Sequence, residues 1–319
     1  MAKKNAAIVL GATKNYFHAV GTLVLNIQKT CPGLADDIFI FHDMAEERDR
    51  EILEGPLACT LRPFPYRLKA ENERFSRFSM VAFSLYEIFS LLDEYRNVLW
   101  LDGDICVLGD LSGILAYGPV AMRRGVASFQ KALGRPVSPE VDNVPTYNTG
   151  VVLATDKLKN YQQLREDCYR YTKEFQNTLY LPDQGIFNYV LWKNGIPVTD
   201  LPNKFNFTNG LSMHEFQQAL LIHTAGDVFK LWNYPPLRKM FPLWAACQAE
   251  WLSMGGSAFA GDQLIPDTGE IFTLQNVLAD SLGLYGIRSL CQTQEEYIAK
   301  LENSLKELTA EVTALTRKR

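Results

Sequence analysis

The chain has 319 residues, 47% of them hydrophobic and 21% charged, a balance that supports a large buried core and excludes disorder over most of its length. Its 32 basic and 36 acidic side chains leave a net charge of −4, which argues against a non-specific nucleic-acid binder. The longest run without Asp, Glu, Lys or Arg, from Asn15 to Gln28, is 14 residues, short of the roughly 20 that span a bilayer.

Lys3 and Lys4 ahead of an apolar run mimic the start of a signal peptide, but no small-residue cleavage site follows, so residues 6–10 read as a first strand closed by Gly11. Val20, Leu23, Val24 and Ile27 then recur at helical spacing until Pro32. Residues 37–41 read as a strand, 45–53 as a helix and 58–61 as a third strand, an alternation that predicts a parallel sheet with helices on its faces. An amphipathic helix is expected over 80–95. The run Val98-Leu99-Trp100-Leu101 predicts a central strand covered on both sides. Strands are expected at 125–129, 150–154 and 219–222, and helices at 156–175 and 184–192. Beyond Asn233 the chain is aromatic, rich in Pro and irregular, and no fold is predicted for 234–290. Cysteines 31, 59, 106, 168, 247 and 291 form no C-x-x-C pair, so a reducing cytoplasm is the expected compartment.

The last stretch differs in kind. Ile298, Leu301, Leu305, Leu308, Val312 and Leu315 follow the a/d spacing of a heptad seam, with Glu and Lys in most other positions. A coiled-coil helix over 295–319, joining copies of the chain into a homo-oligomer, is expected, the alternative being an amphipathic helix that lies on its own domain.

Two features carry chemistry. Asp102-Gly103-Asp104 stands directly after the central strand, at the carboxyl end where α/β sheets place ligands. If Gly103 lets the backbone bend, its neighbours turn toward a common point and offer hard oxygens to Mn²⁺ or Mg²⁺. His223 also ends an apolar strand; one imidazole beside two carboxylates suits Mn²⁺ better than Ca²⁺. Lys230 follows as a compact cation able to meet a phosphate.

The order of Leu-Trp-Leu-Asp102-Gly103-Asp104, Tyr-Asn148-Thr-Gly150, Pro-Asp183-Gln184-Gly-Ile-Phe-Asn188 and Ile-His223-Thr-Ala-Gly226, with Lys230 and Trp232, resembles the retaining glycosyltransferase family 8 over about residues 6–232. That family includes bacterial lipopolysaccharide galactosyl- and glucosyltransferases and glycogenin. The resemblance implies a GT-A fold, a Rossmann-like and mostly parallel α/β sheet flanked by helices, over 1–233. A C-terminal extension over 234–294 and the coiled coil would follow. It further implies that Asp102, Asp104 and His223 hold Mn²⁺ on the diphosphate of a UDP-sugar, and that Gly103, Gly226 and Lys230 lie against the donor. Leu10, Gly11, Thr13 and Tyr16 would receive the nucleotide, Asn148 and Asp183 the sugar hydroxyls, and Gln184 would approach the anomeric carbon, with Asp183 the other candidate for a covalent scheme.

The sequence departs from the family pattern in three places. Only Arg74 and Arg77 offer a basic group ahead of the metal strand, Gln130 stands where a sugar-binding Asp is common, and Lys230 follows His223 by seven residues. The expected acceptor is a glycan, free or lipid-linked, and residues 231–251, with Arg238, Lys239 and several aromatics, are a candidate contact for the inner face of a membrane. The alternative is a coiled-coil scaffold whose domain binds a nucleotide sugar without turnover. A haloacid-dehalogenase-type phosphohydrolase fits poorly, because no Thr follows Asp104 and the motif lies a hundred residues into the chain.

Overall fold

Strand β1 (Lys4–Ala12) buries every residue from Ala6 to Leu10, none more than 2% exposed, as a strand covered on both faces requires. It enters α1 (Phe17–Thr30) through a single 3-10 turn. The computed structural model describes residues 2–66, 68, 78–125, 127–141, 144–208, 213–225 and 230–260. The expected coiled coil, Gly226, Arg74 and Arg77 lie outside those residues.

The chain continues through β2 (Asp37–His42), α2 (Glu47–Glu54), β3 (Thr60–Pro63), α3 (Ile88–Leu91), β4 (Tyr95–Leu101), β5 (Ile105–Val107) and β6 (Val120–Arg124). It then forms α4 (Phe129–Leu133), β7 (Tyr147–Thr155), α5 (Tyr161–Phe175), α6 (Pro182–Lys193), β8 (Val198–Asp200) and α7 (Met213–Gln217). Last come β9 (Leu221–His223), α8 (Pro235–Met240) and α9 (Pro242–Ser253). Seven strands make one sheet in the order β3-β2-β1-β4-β7-β6-β8. All its pairings are parallel except the two made by β7. This is the expected GT-A-like, mostly parallel sheet with helices on its faces.

Side-chain alternation divides the core. Val98 and Trp100 of β4 face a cluster with Phe83, Phe89 and Phe187, whereas Leu99 and Leu101 face another with Val20, Leu23 and Val24 of α1. α9 closes the second cluster from outside: Trp251 is fully buried, and a Cβ on Gly21 of α1 would lie 2.4 Å from its ring. The indole Nε1 donates to Ser257 O at 2.9 Å, and Ser257 N donates to Asp49 Oδ1 at 2.7 Å, tying the segment after α9 to α2. The five cysteines among the described residues are buried and free. No helix among the described residues is long and apolar enough to cross a membrane.

Three expectations need correction. Residues 125–129 are not a strand: β6 ends at Arg124, and Ser128 caps α4 by accepting from Lys131 N. Gln130 therefore lies inside a helix. The expected helix over 80–95 is a 3-10 segment, Met80–Glu87, followed by the short α3. Residues 235–253, for which the sequence predicts no fold, are two helices, each opened by Pro in its first turn.

Candidate active site

The turn Asp102-Gly103-Asp104 joins β4 to β5, and β5 pairs antiparallel with β9 so that Ile105 stands opposite His223. This small second sheet brings residues about 120 positions apart into one corner. His223 Nε2 lies 3.4 Å from Asp102 Oδ2 and 3.1 Å from Asp104 Oδ1. The three side chains can offer one ligand atom each within 4.8 Å of one another. Lys230 Nζ closes the corner at 2.6 Å from Asp104 Oδ2 and also donates to Thr224 O.

Gly103 contributes room rather than an unusual backbone conformation. It is not among the glycines with positive φ, but a Cβ there would press on Val20 Cγ2 at 3.3 Å. Gly150 matters more, because its Cβ would fall 1.9 Å from His223 Cε1. A side chain at 150 would evict the imidazole. Trp100 Nε1 donates to Asp102 Oδ1 at 2.9 Å, fixing that carboxylate as well.

The second ring nitrogen is oriented by a chain of amides that sequence reasoning missed. Gly150 N, which can only donate, is 3.0 Å from Asn148 Oδ1, and Asn206 Nδ2 donates to the same oxygen at 2.9 Å. Asn206 Oδ1 is thereby turned toward His223 Nδ1, 3.1 Å away. Nδ1 must carry a proton to meet it, so the neutral ring keeps its Nε2 lone pair facing the two aspartates, the tautomer a metal requires. Asn206 is fully buried. Nothing in its spacing announces this; it reaches the site because Phe207 bridges to Ile222 of β9.

Electrostatics follow from the crowding. Burial alone would raise the Asp104 carboxyl, but the Lys230 and His223 charges hold it well below the usual carboxylate range. Burial alone would lower His223, yet the charges and hydrogen bonds of Asp104 and Asp102 outweigh it and raise the ring to about 9. Without a metal the imidazolium thus occupies the place of a cation. Two carboxylates and an imidazole are a mixed donor set that fits Mn²⁺ or Mg²⁺.

Asp183 and Gln184 open α6 one strand further along. Thr149 Oγ1 donates to Asp183 Oδ2 at 3.1 Å, and Asn148 Nδ2 approaches Gln184 Oε1 at 3.4 Å. Burial, and then the charge of Asp102, push Asp183 up to about 6. Asn188 fixes the start of β7 by bonding both Tyr147 N and Tyr147 O.

On the other side of the aspartates a cavity of about 370 Å³ is lined by Gly11, Thr13, Tyr16, Trp100, Asp102, Gly103 and Asp104, among others. Tyr16 is 45% exposed and meets the buried Trp232 edge-on at 5.7 Å. Leu10 does not line the cavity; its side chain is fully buried in the core.

By sequence, no curated protein is similar to this chain. Among solved structures it is similar to the apo form of the bifunctional glycosyltransferase WbbM, with TM-score 0.59 and 18% identity, over 80% of this chain and 52% of that one. The chain thus spans about half the length of WbbM. It is also similar to galactosyltransferase LgtC in complex with donor and acceptor sugar analogues, with TM-score 0.56 and 14% identity, over 78% of this chain and 99% of that one. GlyE of Streptococcus pneumoniae TIGR4 gives TM-score 0.51 and 19% identity, over 82% and 66% of the respective chains. At these identities the likeness concerns the fold. The family model for glycosyl transferase family 8 matches residues 7–235, the span that holds both the aspartate turn and His223, and the chain belongs to that family.

Proposed function

We propose that this glycosyltransferase takes a hexose from UDP-glucose or UDP-galactose, with Mn²⁺ held by Asp102, Asp104 and His223, and passes it to a glycan acceptor with retention of configuration. The observation that carries the reading is the convergence of those three side chains beside a cavity bordered by an exposed tyrosine. Breaking the bond from sugar to UDP concentrates negative charge on the departing diphosphate. At about 4 Å and an effective dielectric near 20, each unit charge interacts by roughly 4 kcal/mol. The metal would supply Lewis-acid stabilisation of that charge. Lys230, braced by Asp104, adds a fixed cation beside it.

Asn148 and Asp183 hold the sugar hydroxyls, and Gln184 stands at the anomeric carbon. The Gln184 amide oxygen is uncharged and a feeble nucleophile, which favours attack by the acceptor on the face the diphosphate leaves. The product belongs to surface polysaccharide or lipopolysaccharide synthesis at the inner face of the membrane, with the chain self-associating through 295–319.

The test is UDP release from each sugar nucleotide with Mn²⁺, with and without chelator. Release that stops on chelation and returns with Mn²⁺ is expected. Binding of UDP-sugar with no release under any condition favours the scaffold instead.

A further inference from the structure

Arg123 is 8% exposed, yet among the described residues it has no carboxylate within ion-pair distance. Among the described residues its one hydrogen bond runs from Nη2 to Thr208 Oγ1 at 2.6 Å, and its buried Nε has no partner there. The neighbouring Arg124 takes Asp200 at 2.8 Å. Glu215 acts on Arg123 only at longer range and is itself engaged by Asn203 Nδ2. A buried guanidinium without an anion leaves its desolvation cost unreturned, and arginine does not shed its proton to escape it.

Its place in the sheet gives this cost a purpose. Met122 pairs with Val152 and Arg124 with Tyr147, so Arg123 alone stands opposite Asn148, Thr149, Gly150 and Val151. Thr208 lies two residues beyond Asn206, in a segment that runs beside β9: Phe207 N donates to Leu221 O, and His223 N to Phe207 O. In an extended segment, alternate side chains share a face. Thr208 and Arg123 therefore continue the polar wall that Asn206 and Asn148 begin. Along the sheet edge the order is β1 with Gly11, β4 with the aspartates, β7 with Asn148 and β6 with Arg123. On the reading above these positions hold nucleotide, diphosphate and sugar in turn, and what borders the sugar at β6 is the acceptor.

Resting on that reading, we propose that Arg123 and Thr208 form an anion subsite for the acceptor, which carries a phosphate or carboxylate group next to the sugar that is extended. A guanidinium offers parallel N–H donors matched to two oxygens of one oxyanion, and the unpaired Nε supplies one of them. An incoming anion completes a site that the described residues leave one charge short.

The test uses the full chain with Mn²⁺ and UDP, titrated calorimetrically with galactose 6-phosphate, galacturonate and methyl galactoside. UDP is first titrated alone. If UDP fails to bind, the donor reading falls; if it binds, the acceptor arm stands or falls by itself. At least one charged sugar is expected to bind ten-fold or more tightly than methyl galactoside, the phosphate and carboxylate arms separating the two sources of the anion. Arg123→Gln should remove that advantage, and Arg123→Lys should keep part of it. Circular dichroism checks that each variant is folded, and Arg123→Met serves as a second neutral replacement. Equal binding of charged and neutral sugars, binding of none of them, or a charged preference that survives in Arg123→Gln or Arg123→Met overturns the proposal.

Discussion

At the β4 corner the buried charges answer one another, since His223 and Lys230 both lie against Asp104. At the β6 corner Arg123 has, among the described residues, one hydrogen bond, to a hydroxyl, with Glu215 acting at longer range. Both positions sit at the same edge of one sheet, yet the first is electrostatically closed and the second open. A closed cluster folds without its ligand because internal partners replace water; an open one bears a desolvation cost until a ligand arrives. On the proposed reading, the difference separates a site that exchanges one cation for another from a site that awaits an anion.

The hardest blow to the closed corner is Asp104→Ala, which removes one carboxylate of the proposed metal set and the partner of Lys230. UDP release should fall about 10²- to 10³-fold, measured at saturating Mn²⁺; turnover within a few-fold of wild type would detach the cluster from the chemistry. Asn206→Ala spares all three metal-facing side chains but frees the His223 ring, and Mn²⁺ affinity followed by electron paramagnetic resonance should drop about 10- to 100-fold. Unchanged affinity would mean that the ring is oriented by something else.

The smallest effect concerns Asp183, which titrates near 6 in the folded chain against about 3.9 when unfolded. Between those values the folded state binds more protons than the unfolded one, so this group lowers stability as pH rises from about 4 to 6. With chelator present, Asp183→Asn should be more stable to unfolding than wild type above pH 6, by about 1–2 kcal/mol allowing for partial exposure. The gap should vanish below pH 4. A constant gap across that range would trace the change to packing instead of charge.

How much of this is legible along the chain depends on whether the signal is local. The apolar runs of β1, β2 and β4 announce themselves because strands covered on both faces have few alternatives. β6 does not, since Val120-Ala-Met-Arg-Arg124 ends in two charges and the mostly apolar Val126-Ala-Ser-Phe129 competes with it as a strand. The helix signals there are present but outweighed: Ser128 as cap, and Gly134 with φ of 64° closing α4. Pro235 and Pro242 read as breakers in a local window, whereas each begins a helix. At the site, motif order identifies Asp102, Asp104, His223 and Lys230. Asn206 and Arg123 escape it, because their roles arise from a bridge between segments and from a register shift, neither of which leaves a pattern along the chain.

Reversal of β7 within an otherwise parallel sheet has an effect on how the enzyme can be altered. β4 offers this edge the loop at its carboxyl end, whereas β7 offers the loop at its amino end, so the aspartate turn and the segment leading into Asn148 are written in separate stretches of chain. Between Arg124 and Tyr147 the side chains of Phe129, Leu133 and Val141 are buried in the core, so exchange is confined to the positions around them, while the turn between β4 and β5 stays as it is. Retargeting by loop grafting would thus have a natural place to begin.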